Sequence, residues 1–99
     1  MNINLNVTNK NIRDAKVADP SNCPIAKALK RSVKGLKQVY VYGRNAHIVV
    51  KKGNRNVRYS TDLAKEASKF VSRFDAGLAV LPFKFNLNFK KAVGVGLAS

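Results

Sequence analysis

Cys23 and His47 are the single cysteine and the single histidine of the chain, so nucleophilic or acid–base chemistry would have to start from them. Cys23 stands directly before Pro24 and four residues ahead of Lys27. A thiol in the first turn of a helix, near a cation, has a lowered pKa and a larger thiolate fraction. No dedicated base or resolving cysteine accompanies it, and the expected role is a small side chain closing a helix entrance against the core. His47 lies among apolar strand residues and is expected to pack or face solvent, not to act as a general base. One Cys and one His fall short of the three or four ligands of a metal site built within one chain. The five carboxylates are Asp14, Asp19, Asp62, Glu66 and Asp75. Asp62 and Glu66 share a helix face, but a helix N-terminus accounts for Asp62 and pairing with Lys65 or Lys69 for Glu66. Gly94 and Gly96 lack the helix and lysine that would make a phosphate loop of them. The reading is a binding protein, not an enzyme, with no cofactor.

The basic side chains carry more information. Lys27, Lys30, Arg31 and Lys34 are separated by three, one and three residues, a spacing that projects all four from one side of a helix. Like charges this close destabilise an isolated helix by roughly 0.2–0.5 kcal/mol per pair, a cost that a bound anion relieves. A solvated face is the competing reading of such a run. A second cluster, Arg44, Lys51, Lys52, Arg55 and Arg58, contains no acidic neighbour between residues 38 and 60 and is interleaved with Tyr40, Tyr42 and Tyr59. Cations that neutralise phosphates beside rings that stack on bases are the combination used by single-stranded nucleic-acid sites. Tyrosines are also ordinary strand residues that pack in cores and at edges.

These residues need elements to hold them. Ile3, Leu5 and Val7 alternate with polar residues, the period of a strand with one buried face. Residues 9–20 read as a short helical turn or loop, and Asp19-Pro20-Ser21-Asn22 as a turn into a helix. Ile25, Leu29 and Val33, with Leu36 as a further candidate, recur at helical spacing from Pro24 to about Lys34, with Gly35 as the stop. Residues 38–42, 46–51 and 56–59 read as a three-strand meander, joined by Gly43-Arg44-Asn45 and Gly53-Asn54. Ser60-Thr61-Asp62 offers capping groups to a helix carrying Leu63, Ala67, Phe70 and Phe74 and ending at Gly77. Phe83, Phe85, Leu87 and Phe89 form a last strand whose large residues should dominate the core. The order β-α-β-β-β-α-β predicts an α+β fold of two layers, with a largely antiparallel sheet of about five strands and both helices on one face. Tyr40, Tyr42 and Arg58 then fall on the opposite face. One domain over residues 1–90 and a flexible tail over 91–99 complete the expectation.

Composition sets the class of partner. The chain has 99 residues, 19 Lys plus Arg against 5 Asp plus Glu, a formal charge of +14 and a sequence pI near 10.5. A self-repelling balance of this kind points to a polyanion, nucleic acid before anionic lipid or an acidic protein surface. With 45% hydrophobic residues the chain can bury a core, and a single cysteine argues against a disulfide-stapled secreted scaffold. No segment has the ~20 apolar residues that span a bilayer, and residues 1–8 have no signal-peptide pattern. No zinc spacing, RNA-recognition aromatic signature or helix-turn-helix is present, so backbone electrostatics without strong sequence specificity is the expected binding mode.

The segment Asn22-Cys-Pro-Ile-Ala-Lys-Ala-Leu29, with Val7-Thr8, residues 67–70, Phe74-Asp75-Ala-Gly77 and Pro82-Phe-Lys-Phe85, resembles a group of small bacteriophage-encoded proteins of unknown function. The resemblance spans most of residues 3–87 and implies the host cytoplasm as the setting. It carries no activity or binding residues onto this chain. A phage setting adds a second expectation, that the protein docks on an acidic host protein of the transcription or defence machinery and modulates it.

Overall fold

The Asn2–Val7 strand (β1) buries Leu5 and Val7 and turns its asparagines outward, as the alternation of the sequence requires. The computed structural model of the chain describes residues 1–91. Thr8 then caps a five-residue helix, Asn9–Arg13 (α1), through a reciprocal capping box with Asn11. The Pro24–Ser32 helix (α2) starts with Cys23 as its N-cap, whose Sγ accepts from the Ala26 amide at 3.4 Å, and with proline in the first turn. Proline is tolerated there because first-turn amides have no intrahelical acceptor.

Leu36–Val41 (β2), Asn45–Lys52 (β3) and Arg55–Asp62 (β4) form the expected antiparallel meander. Gly53, at φ +60°, opens the tight turn between β3 and β4, at the first central position where a type II′ turn favours glycine. The Lys65–Asp75 helix (α3), the Phe83–Asn88 strand (β5) and the two-residue strand Lys90–Lys91 (β6) follow.

The fold is α+β and every strand pairing is antiparallel. The strands divide between two sheets instead of sharing one: β1 pairs with β5, and the second sheet runs in the order β2-β3-β4-β6. Phe89 is the crossing point, fully buried, with its amide donating to the Met1 carbonyl at 2.8 Å while Lys90 and Lys91 pair with Ser60 and Tyr59. The helix α2 packs against both β1 and β2 and so closes one core between the sheets. That core takes Ile25, Ala26, Ala28 and Leu29 from α2, Ala67, Phe70 and Val71 from α3, and Val39, Val41, Ala46, Ile48, Val50 and Tyr59 from the larger sheet. Leu87 and Phe89 belong to it, whereas Phe83 and Phe85 are only partly buried. Those two rings stack at 4.6 Å, and Phe70 of α3 meets Phe83 at 4.7 Å.

Two local expectations are corrected. Ser60, Thr61 and Asp62 do not cap α3. They complete β4 opposite His47, Ala46 and Asn45, and the helix begins from Ala64 without a side-chain cap. Ladder pairing with β3 satisfies more backbone groups there than one cap would. Residue 91 belongs to β6, and the rest of the expected tail, residues 92–99, lies outside the described residues.

Candidate nucleic-acid interface

The outer face of the larger sheet follows from its register. Tyr40 stands opposite His47, His47 opposite Ser60 and Ser60 opposite Lys90, so one row crosses all four strands. The next row runs from Gln38 through Val49 to Arg58. Because strand side chains alternate, the same register turns Val39, Ile48 and Tyr59 inward. Tyr59 is thus a core residue, with the Lys52 ammonium 5.2 Å from its ring centre. Tyr40 and Tyr42 remain 37% and 46% exposed. Their rings are parallel within 7° with centroids 6.5 Å apart, and His47 meets Tyr42 edge-on at 6.0 Å. His47 Nε2 lies 3.2 Å from Asn45 Oδ1. A cleft of about 360 Å³ lies over this face, lined by Tyr40, Tyr42, His47 and Arg58 among others.

The basic residues do not form one patch. Arg58 and Lys51 share the outer face, while Lys52 and its partner Arg55 extend the inner face past the core. Arg44 sits in the turn before β3, at the end nearer α3. In α2, Lys27 is half-buried and Lys30 and Arg31 are exposed. Lys34 lies beyond the helix, because Val33 is extended and Gly35 adopts φ +74°. The helical stripe is therefore shorter than its spacing suggests. Two of its cations are also engaged within the chain: the Arg31 guanidinium donates to the Asn6 carbonyl at 2.7 Å, and the Lys30 ammonium donates to Asn22 Oδ1 at 3.1 Å.

A cleft of about 350 Å³ nonetheless joins Lys30 to Lys37, Gln38 and Tyr40 at the edge of β2. Lys37 is the extra residue of a bulge between Leu36 and Gln38. Bulges re-aim side chains at sheet edges. The loop before α2 is fixed by the Asp19 carboxylate, which accepts from the Ser21 amide and the Asn22 side chain, both at 3.0 Å. The Asn22 bond, and after it the Ser21 bond, hold the Asp19 carboxyl below its usual pKa. The Ser21 hydroxyl donates to the Val39 carbonyl at 2.9 Å and so ties the loop to β2.

A third basic surface is not among the clusters expected from the sequence. Lys65, Lys69 and Arg73 line a cleft of about 870 Å³ with Arg44, Ser68 and Ser72. Their four-residue spacing is readable in the sequence, but an expected pairing of Lys65 or Lys69 with Glu66 hides it. Among the described residues Glu66 makes no ion pair, and the ion pairs present are Lys10–Asp14 at 2.7 Å and Arg13–Asp14 at 3.7 Å. The remaining Lys and Arg side chains have no carboxylate partner among the described residues.

Cys23 is 2% exposed, and burial raises its pKa against the weaker opposing effect of the Ala26 and Ile25 amides. Desolvation outweighs the helix terminus, so the thiol is held in its neutral form. Among the described residues no three His, Cys, Asp or Glu side chains are grouped to hold a metal ion, and no helix is long and apolar enough to cross a membrane. Compared with protein-family models, curated proteins and solved structures, the chain matches none.

Proposed function

We propose that the chain binds nucleic acid, chiefly through phosphate electrostatics and without strong sequence specificity, on the outer face of its larger sheet. The observation that carries this reading is the exposed Tyr40–Tyr42 pair set among Lys30, Lys37 and Arg58, none of which has a carboxylate partner among the described residues. Cations relieve phosphate charge, and parallel exposed rings offer a surface to base faces. An acidic host protein would meet the same positive charge and could also bury exposed tyrosines; we favour nucleic acid because it uses the parallel rings and the flanking cations together. The role is binding, with no reaction assigned, and the setting implied by the phage-protein resemblance is the host cytoplasm.

Titration of labelled DNA and RNA oligonucleotides at two salt concentrations tests the proposal. Binding at low salt that weakens steeply as salt rises supports it. Absence of binding at low salt overturns it and favours the acidic-protein reading, which a pull-down from nuclease-treated host lysate then examines. Replacement of Lys30, Lys37 and Arg58 by Gln should lower affinity while leaving the thermal transition in place, because all three side chains are exposed.

A further inference from the structure

We infer that the nucleic acid taken by this surface is single-stranded, and that its path continues past the tyrosines onto α3, where Arg44, Lys65, Lys69 and Arg73 hold its phosphates. The inference rests on the nucleic-acid reading above and adds the strandedness and course of the ligand.

Four clefts adjoin in series. The edge cleft beside Lys30 shares Gln38 and Tyr40 with the cleft over the tyrosines. That cleft shares His47 and Ser60 with a third, of about 440 Å³, which also contains Lys90. The third shares Asp62 with the α3 cleft. The result is one track from α2 across all four strands of the larger sheet to α3. Cations recur along it: Lys30 and Lys37, then Arg58, then Lys90, then the α3 group.

On α3 the three cations stand four residues apart, so each lies about 6 Å further along the axis and on nearly the same side of the helix. This linear array suits successive charges on one strand. The Ser68 hydroxyl donates to the Gly43 carbonyl and the Leu63 amide to the Arg44 carbonyl at 2.8 Å, which fixes the Arg44 turn against the start of α3. Among the described residues the α3 cations have no carboxylate partner, and of the three only Arg73 makes a side-chain hydrogen bond, a long one of 3.3 Å to the Ala79 carbonyl.

Strandedness follows from the rings. A duplex buries its base faces within its own stack and presents phosphates to a binding surface, so Tyr40 and Tyr42 would gain nothing from it. A single strand exposes base faces to them and phosphates to the flanking cations. Asp62, the one carboxylate on the track among the described residues, lies where the last two clefts meet. It repels a phosphate there but accepts a hydrogen bond from a base N–H donor, such as the N3–H of thymine, which sets a base, not a phosphate, at that point.

The test is fluorescence anisotropy with a labelled 12-nucleotide oligo-dT and a 12-base-pair duplex. It compares the native chain with the Tyr40→Ala/Tyr42→Ala variant and with the Lys65→Gln/Lys69→Gln/Arg73→Gln variant. Thermal melting confirms that each exposed-site variant is folded. The native chain should bind the single strand at least tenfold more tightly than the duplex at equal salt. Loss of the two rings should weaken single-strand binding by about fivefold or more and leave duplex binding unchanged. Loss of the α3 cations should flatten the single-strand salt dependence by about 2 in the log–log slope, at ~0.7 per phosphate contact. Equal or tighter duplex binding overturns the single-strand assignment, and an unchanged slope in the α3 variant overturns the path, while both leave the nucleic-acid reading standing. Failure to bind either of these oligonucleotides or an oligo-U of the same length removes that reading itself.

Discussion

The Arg31 guanidinium donates to the backbone carbonyl of Asn6 at 2.7 Å, a bond that ties α2 to β1 across 25 residues of sequence. A cation whose spacing suggests a ligand contact is thus part of the scaffold. Lys37, at the β2 bulge, makes no such bond among the described residues and lines a cleft with Tyr40. The Arg31→Gln substitution is expected to lower the unfolding free energy by about 1 kcal/mol, the value of a charge-assisted bond at an exposed site. Lys37→Gln should leave stability unchanged. Urea unfolding of both variants checks the contrast, and equal stability of the two would contradict the assignment of Arg31 to the fold.

Burial of Cys23 makes its thiol a poor nucleophile near neutral pH. Modification by a disulfide reagent at pH 7–8 should be slow in the folded protein and fast in denaturant. The folded-state pKa is raised above the unfolded value, so the associated stability is complete below the ordinary thiol pKa and is lost as pH rises from there through the folded-state pKa. In Cys23→Ser, which keeps an acceptor for the Ala26 amide, that alkaline component should disappear. Rapid labelling of the native protein at pH 7 would instead mark an accessible thiolate.

Backbone conformation makes two positions respond in opposite directions. Gly35 has φ +74°, and a Cβ there would come within 3.0 Å of the Lys51 carbonyl oxygen. Gly35→Ala should therefore cost about 1–2 kcal/mol or more. Gly43→Ala, where an added Cβ would meet no atom within 4 Å, should change stability by less than about 0.5 kcal/mol. Ala18 holds φ 57°, a left-handed conformation, while its amide donates to Asp75 Oδ1 at 3.1 Å. Ala18→Gly should raise the melting temperature, by relieving up to about 1 kcal/mol of strain. A lower melting temperature for Ala18→Gly would show that the strain is absent.

Periodicity made the local elements legible. Alternation at Ile3-Leu5-Val7 marks a buried strand face, the Val, Ile and Tyr content of residues 38–42 marks β2, and the Cys23-Pro24 entrance marks the start of α2. Pairing partners were not legible, because β1 and β5 carry the same alternation whether they pair with each other or join a larger sheet. The passage of the chain from one sheet to the other at Phe89 depends on packing that no local pattern records. For the candidate site, alternation placed Tyr40, Tyr42 and Arg58 on one face. It could not place Arg44 beside α3, since that proximity comes from the Leu63–Arg44 and Ser68–Gly43 bonds between distant segments. Lys65, Lys69 and Arg73 were visible as a spacing but were obscured by a local pairing with Glu66 that the side chains do not make.

The measurement that bears most directly on the central claim is the salt dependence of the association constant for an unstructured single-stranded oligonucleotide. Lys30, Lys37, Arg44, Arg58, Lys65, Lys69, Arg73 and Lys90 lie along the track. Engagement of four to eight phosphates by these cations predicts a log–log slope between about −3 and −6. A slope near zero, or no binding at low salt, would contradict the claim that phosphate electrostatics on this surface is what the protein is built for.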